Sequence, residues 1–258
     1  MQFKLFFIKM KKTIFLAAIL IAALGFTGCG GSDKNGGDLK INAKVSHGDL
    51  VNDQVTEVRA KGWACIGKYP VDENDDDIID WYECTDLQEV TIASAPFKNG
   101  GFKMTLPEKI DERLLEDITA FPDYMGTIPA EINISDKNVK GTIVVAFLAF
   151  KNNLWVGDFR CIYFSNDHDT EAFLFYSFVD GDCKVSGTVT RTYGPITSKD
   201  IFDLDLKKGW NAVYQIQTVA GNTNTVKVTT KKPDFDLTWY FVGGGVLHAP
   251  SKDAKPFK

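Results

Sequence analysis

The chain has 258 residues, 44% of them apolar and 24% charged, with a formal net charge of -5. That apolar content can bury a sizeable core, either as one large unit or as two units of about 100 residues each. No run of Lys or Arg follows a phosphate backbone, so nucleic acid is excluded as an expected partner, and so is a polybasic grip on anionic lipid.

Residues 1–28 hold Lys4, Lys9, Lys11 and Lys12 and no acid, and without them the charge falls from -5 to about -9. Met10-Lys11-Lys12 is followed by the apolar stretch Ile14 to Leu24 and then by Gly25-Phe26-Thr27-Gly28-Cys29. The apolar run is about half of the ~20 residues that span a bilayer, which predicts cleavage rather than a permanent transmembrane helix. This segment resembles the signal peptides of bacterial lipoproteins, with small Gly28 before the cysteine and Phe26 in place of the usual Leu. The resemblance implies a diacylglycerol on the Cys29 thiol, a mature chain that starts there, and a membrane partner reached through the lipid anchor. Residues 29–38 carry no apolar side chain to bury after Cys29 and are predicted to form a flexible tether. A short tether with acid close behind the cysteine is similar to lipoproteins of Bacteroidetes, which implies the cell envelope and its outer membrane as the location, on either face.

From Lys40 onward, alternating or β-branched stretches recur at short spacing, among them Val55 to Trp63, Phe102 to Leu106, Leu154 to Phe164 and Val185 to Thr192. Period two at this spacing predicts an all-β fold of antiparallel β-sandwich units joined as meanders. Asn99-Gly100 and Asp180-Gly181 are read as tight hairpin turns, and Asn152-Asn153 and Gly221-Asn222 as further strand connections. One short helix is expected where Ile110, Leu114, Leu115 and Ile118 share a face behind Asp111 and Glu112. Both faces of Phe173-Leu174-Phe175-Tyr176 are apolar, as in a strand buried on two sides. The stretch Ala95-Pro96-Phe97 through Phe102 to Pro107 resembles small transthyretin-like β-sandwiches, which implies a first unit over residues 39–139. A second antiparallel unit is expected over 140–245, with a tail at 246–258; whether the two are separate or fused stays open.

The sharpest chemical constellation runs from Asp72 to Glu83 and resembles an EF-hand calcium loop. Counting from Asp72, oxygen ligands fall at Asp72, Asn74 and Asp76, a backbone carbonyl at Ile78, and further acids at Asp80 and Glu83. Calcium takes roughly six to eight oxygens, and this spacing turns alternate side chains toward one centre while Glu83 closes the sphere. Asp77 replaces the usual Gly at position six and Pro70 stands where the entering helix would run. The expected site is therefore a loop spliced between strands that binds Ca²⁺ weakly, on the order of 10⁻⁴ to 10⁻³ M. The alternative is a solvated acidic hairpin tip.

Export permits disulfides. Cys65 and Cys84 bracket the acidic loop and are expected to bridge across its stems, whereas Cys161 and Cys183 are left either as buried thiols or as a bridge across sheets. Asp167-His168-Asp169 reads as a polar hairpin loop. Of five Trp, most are expected in the core, with Trp81 the best candidate for an exposed ligand-binding platform. No Gly-x-Ser-x-Gly elbow, His-Glu-x-x-His or phosphate-cradling Gly loop is present, so no catalytic role is expected. The sequence points instead to a module that binds a glycan or protein, with an envelope adhesion component or a glycan hydrolase as alternatives.

Overall fold

The computed structural model describes residues 30–31, 38–71, 81–120, 130–142 and 146–243; at 30–31, 65–71, 81–87 and 120 it describes the backbone alone. The strands in chain order are β1 (Gly30–Gly31), β2 (Leu39–Lys44), β3 (Glu57–Val71), β4 (Trp81–Lys98), β5 (Gly101–Leu106), β6 (Glu116–Asp117), β7 (Ile132–Ile134) and β8 (Lys140–Gly141). They continue with β9 (Ala146–Lys151), β10 (Leu154–Phe164), β11 (Thr170–Val179), β12 (Cys183–Tyr193), β13 (Ile196–Leu206), β14 (Gly209–Ala220), β15 (Thr223–Thr229) and β16 (Thr238–Gly243). The fold is all-β and mostly antiparallel, with β13 and β15 forming a parallel pair.

Alternation decides the strands. In β2, Leu39, Ile41 and Ala43 are buried while Lys40, Asn42 and Lys44 are exposed, because successive side chains point to opposite faces. Asn99 and Gly100 both have positive φ, 53° and 73°, which lets the chain reverse between β4 and β5; the Gly100 N–H also donates to Asn52 Oδ1 at 3.1 Å. Asn152 and Asn153, at φ 52° and 64°, close the β9–β10 hairpin in the same way.

Seven strands form a closed circuit. Along the sheet, β2 pairs β5, then β4, β3, β9 and β10 follow, and β16 pairs the outer edge of β10. The circuit closes where Val45, just after β2, bridges Trp239 of β16, with the Ser46 N–H donating to the Trp239 carbonyl at 2.7 Å. The enclosed core is aromatic: the Trp239 ring stands edge-on to Phe102 and Phe147, each with a centroid separation of 5.3 Å, and Phe97 stacks on Phe159 at 5.1 Å.

A second core lies beyond β11. β11 pairs β14 over ten residues, and β15, β13, β12 and β7 continue the sheet outward. Ala172, Leu174, Tyr176 and Phe178 of β11 face the first core, while Val179 and, from β14, Val213 belong to the second. Two-sided burial is not found over Phe173 to Tyr176, where Leu174 and Tyr176 are buried but Phe173 and Phe175 are half-buried; it begins only at Tyr176 and runs to Val179.

Three expectations are corrected. The division at 139/140 does not separate the cores, since β9, β10 and β16 wall the first one and Ile118, Ile132 and Ile134 serve the second. Asp180-Gly181 is not a hairpin turn, because β11 and β12 do not pair; Asp180 Oδ1 accepts from the Lys140 N–H instead, at 2.8 Å. The segment expected as one helix forms two 3₁₀ turns, Glu112–Leu114 and Ile118–Ala120. A single helical face could not serve it: Ile110 and Leu115 pack on the first core, Ile118 on the second, and Leu115 is already extended at φ -88°, ψ 119°. The first turn is capped by Asp111, whose side chain accepts from the Arg113 N–H and side chain; those bonds hold its carboxyl down at about 2.

Candidate binding surface

The outer face of the β3–β9–β10 sheet collects residues of a kind that recognition surfaces use. Cross-strand register places Trp155 of β10 opposite Phe150 of β9, and Phe150 opposite Glu57 of β3, so these three share one face. Arg59 follows two residues along, its guanidinium carbon 4.2 Å from the Phe150 ring centroid. The same guanidinium donates to Glu57 Oε2 and to Asn153 Oδ1, both at 2.6 Å. Lys61 comes next on the face, its Nζ 4.9 Å from the Phe150 centroid and paired with Glu89 of β4. Glu89 lies directly opposite Trp63, which completes a strip from Trp155 to Trp63.

Burial along the strip is graded. Phe150 is 6% exposed beneath the two cations, and the Lys61 side chain 7%, so its charge is tolerable only with Glu89 and the ring face as partners. Trp63 and Trp155, by contrast, are 38% and 55% exposed. They flank the charged middle, roughly 20 Å apart from six residues along β3 and two strand spacings across. The Arg59 hydrogen bond lowers the Glu57 pKa below the usual glutamate range. A lowered acid stabilises the fold above its unfolded pKa, and that stability is lost as pH falls through the folded value. The Glu57→Gln variant is therefore expected to melt lower than the parent at neutral pH, by no more than about 1 kcal/mol for so exposed a pair, with the gap closing below about pH 4. Thermal melts of both chains at several pH values check this; a gap independent of pH contradicts it.

The acidic segment 72–80, with Asp72, Asn74, Asp76, Ile78 and Asp80, lies outside the described residues, as do Cys29 and residues 32–37 of the tether expected over 29–38; Gly30 and Gly31 of that tether are instead paired with Asn42 and Ile41 of β2. Its ends are described: Val71 pairs with Trp81 and Tyr69 with Glu83, so the loop closes a β3–β4 hairpin that runs on beyond β9. Of Trp81 and Glu83 the backbone alone is described. In the same hairpin Cys65 sits opposite Leu87 and Cys84 opposite Lys68. That offset of three residues, about 10 Å along the strand, exceeds the ~7 Å reach between bridged Cα atoms, so the ladder does not bring the two cysteines together as a cross-strand pair. Cys183 is a buried free thiol, which rules out a bridge between it and Cys161. Among the described residues no group of three His, Cys, Asp or Glu is placed to hold a metal, and no helix is long and apolar enough to cross a membrane. Asp167 accepts from Ser165 Oγ at 2.5 Å and from the Asp169 N–H at 3.2 Å within the β10–β11 turn, the polar hairpin loop expected there.

Trp210 and Trp239 are core residues, at 4% and 2% exposed. Trp63 and Trp155 depart from the expectation that most tryptophans are internal. The signal was present: Arg59, Lys61 and Trp63 alternate on one strand face, and charged residues at period two mark the face that meets water. No family model, curated protein or solved structure matches the chain.

Proposed function

We propose that the chain is an exported, lipid-anchored envelope protein that acts as a non-catalytic binding module, with the Trp155-to-Trp63 strip as its recognition face. The observation that carries the reading is the exposure of both tryptophans on a face held by strand pairing and ion pairs. Tryptophan and arginine are the side chains most often found to carry binding energy at recognition surfaces. Burial of every tryptophan would favour a structural or adhesive component, so the exposure of Trp63 and Trp155 favours recognition. The anchor reading rests on the Met10-to-Cys29 segment and places the module in the bacterial envelope at the outer membrane.

The test has two arms. Cys29→Ala is expected to lose fatty-acid labelling and to leave the detergent extract for the soluble fraction; retention in the membrane ends the anchor reading. On a glycan array and in cross-linking to envelope proteins, Trp155→Ala is expected to lose at least about tenfold in signal with its melting temperature unchanged. Signal that survives both Trp155→Ala and Trp63→Ala removes this face from the reading.

The segment Asp72 to Glu83 is proposed to hold calcium at the hairpin tip, through Asp72, Asn74, Asp76, the Ile78 carbonyl, Asp80 and Glu83. The reading rests on the spacing of the acids; the pairing of Val71 with Trp81 leaves residues 72–80 as the connection, with Glu83 in the stem opposite Tyr69. Calcium at about ten times its dissociation constant should add about 1.4 kcal/mol of stability, and Asp72→Asn with Asp76→Asn should abolish the gain. A calorimetric titration without heat, with melting unchanged by chelator, retires the site.

A further inference from the structure

The balance of charge along the strip narrows what it binds. Arg59 is paired with Glu57 at 2.6 Å, Lys61 with Glu89, and on the neighbouring turn of the same face Arg160 of β10 with Asp158 at 2.5 Å. Each of these cations has its own carboxylate, so among the described residues the charges of this face balance, whereas the chain without residues 1–28 is at about -9. A polyanion would meet no unpaired cation here and would be repelled by the rest of the molecule. A protein partner fits poorly for a different reason. Interface centres are depleted of charge, and covering the middle of this strip would desolvate two ion pairs between the tryptophans.

We infer that the ligand is an uncharged polysaccharide, lying along the strip with sugar rings against Trp155 and Trp63 and its hydroxyls on the charged middle. This rests on the binding reading above. The C–H faces of a sugar ring suit the negative face of an indole, while hydroxyls both donate and accept, so they hydrogen-bond to the exposed edges of Arg59, Glu57 and Glu89 without separating the pairs. A span of roughly 20 Å between the two rings suits a chain of several sugars rather than a monosaccharide. Arg59 is also pre-positioned by Phe150 and Asn153, so little side-chain order remains to be lost on binding.

The test is affinity electrophoresis of the full mature chain in detergent through gels containing neutral dextran, galactomannan or xyloglucan, or acidic polygalacturonate or hyaluronate. Retardation by at least one neutral polymer is expected, little changed by an approximately tenfold rise in salt and reduced about tenfold or more by Trp155→Ala. The exposed position of Trp155 keeps this variant from disturbing the core, and a melting curve checks it. Retardation by an acidic polymer alone, suppressed by salt and by Trp155→Ala, overturns the neutral class but keeps the face. No retardation by any polymer overturns the inference; a photo-cross-linker at position 155 that then captures an envelope protein keeps the face for a protein partner, and one that captures nothing sinks both.

Discussion

Trp239→Ala is expected to destabilise the protein by about 3 to 5 kcal/mol, the range for removing a large aromatic from a packed core. The ring is 2% exposed and edge-on to both Phe102 and Phe147, so truncation opens a cavity at the centre of the seven-strand circuit. The same residue supplies the carbonyl that receives the Ser46 N–H and the bridge to Val45, which makes it the seam between β16 and β2. A melting temperature lower by about 6 to 20 °C follows for a chain of this size. Trp239→Phe should recover part of the loss by refilling the cavity. If alanine costs less than about 1 kcal/mol in a reversible urea or thermal melt, the Trp239 ring is not packed between Phe102 and Phe147 as described.

The second large effect is expected at Gly157, where β10 bulges against β9 and runs beside β16. A Cβ there would stand 2.3 Å from the Val242 carbonyl oxygen, which is backbone and cannot swing aside, and φ is 155°. Gly157→Ala should therefore cost about 2 to 4 kcal/mol, from backbone strain and from the pairing pushed apart. Gly194→Ala is the matched comparison. Gly194 has φ 59° but nothing within 4 Å of the place a methyl group would take, so only the conformational cost of about 1 to 2 kcal/mol applies. Equal losses at the two positions would show that crowding by β16 contributes nothing.

Particular residues show how far the chain could be read in advance. Asn99-Gly100 and Asn152-Asn153 made their hairpins because positive φ is a local demand that Asn and Gly meet wherever they stand. Asp180-Gly181 carried the same signature and made no hairpin, since strand pairing is settled by which apolar faces find each other and β11 finds β14. Helical spacing over Ile110 to Ile118 failed similarly, its apolar residues being shared between two cores. The strip from Trp155 to Trp63 was half legible. Alternating Arg59, Lys61 and Trp63 marked a solvent face, but nothing local joined them to Phe150, Asn153 and Trp155, 94 residues on from Arg59 at Asn153, which only the β3–β9 register brings together.

What the sequence by itself determined is therefore what short range decides: the all-β class from period two and the reversals at Asn99-Gly100 and Asn152-Asn153. Tertiary structure decided which strands became neighbours, how the two cores divide β11 and β14, and which tryptophans meet water. The reason is that a residue's period fixes the face it occupies, whereas the partner of that face is chosen by long-range burial of apolar surface, to which no single segment holds the answer.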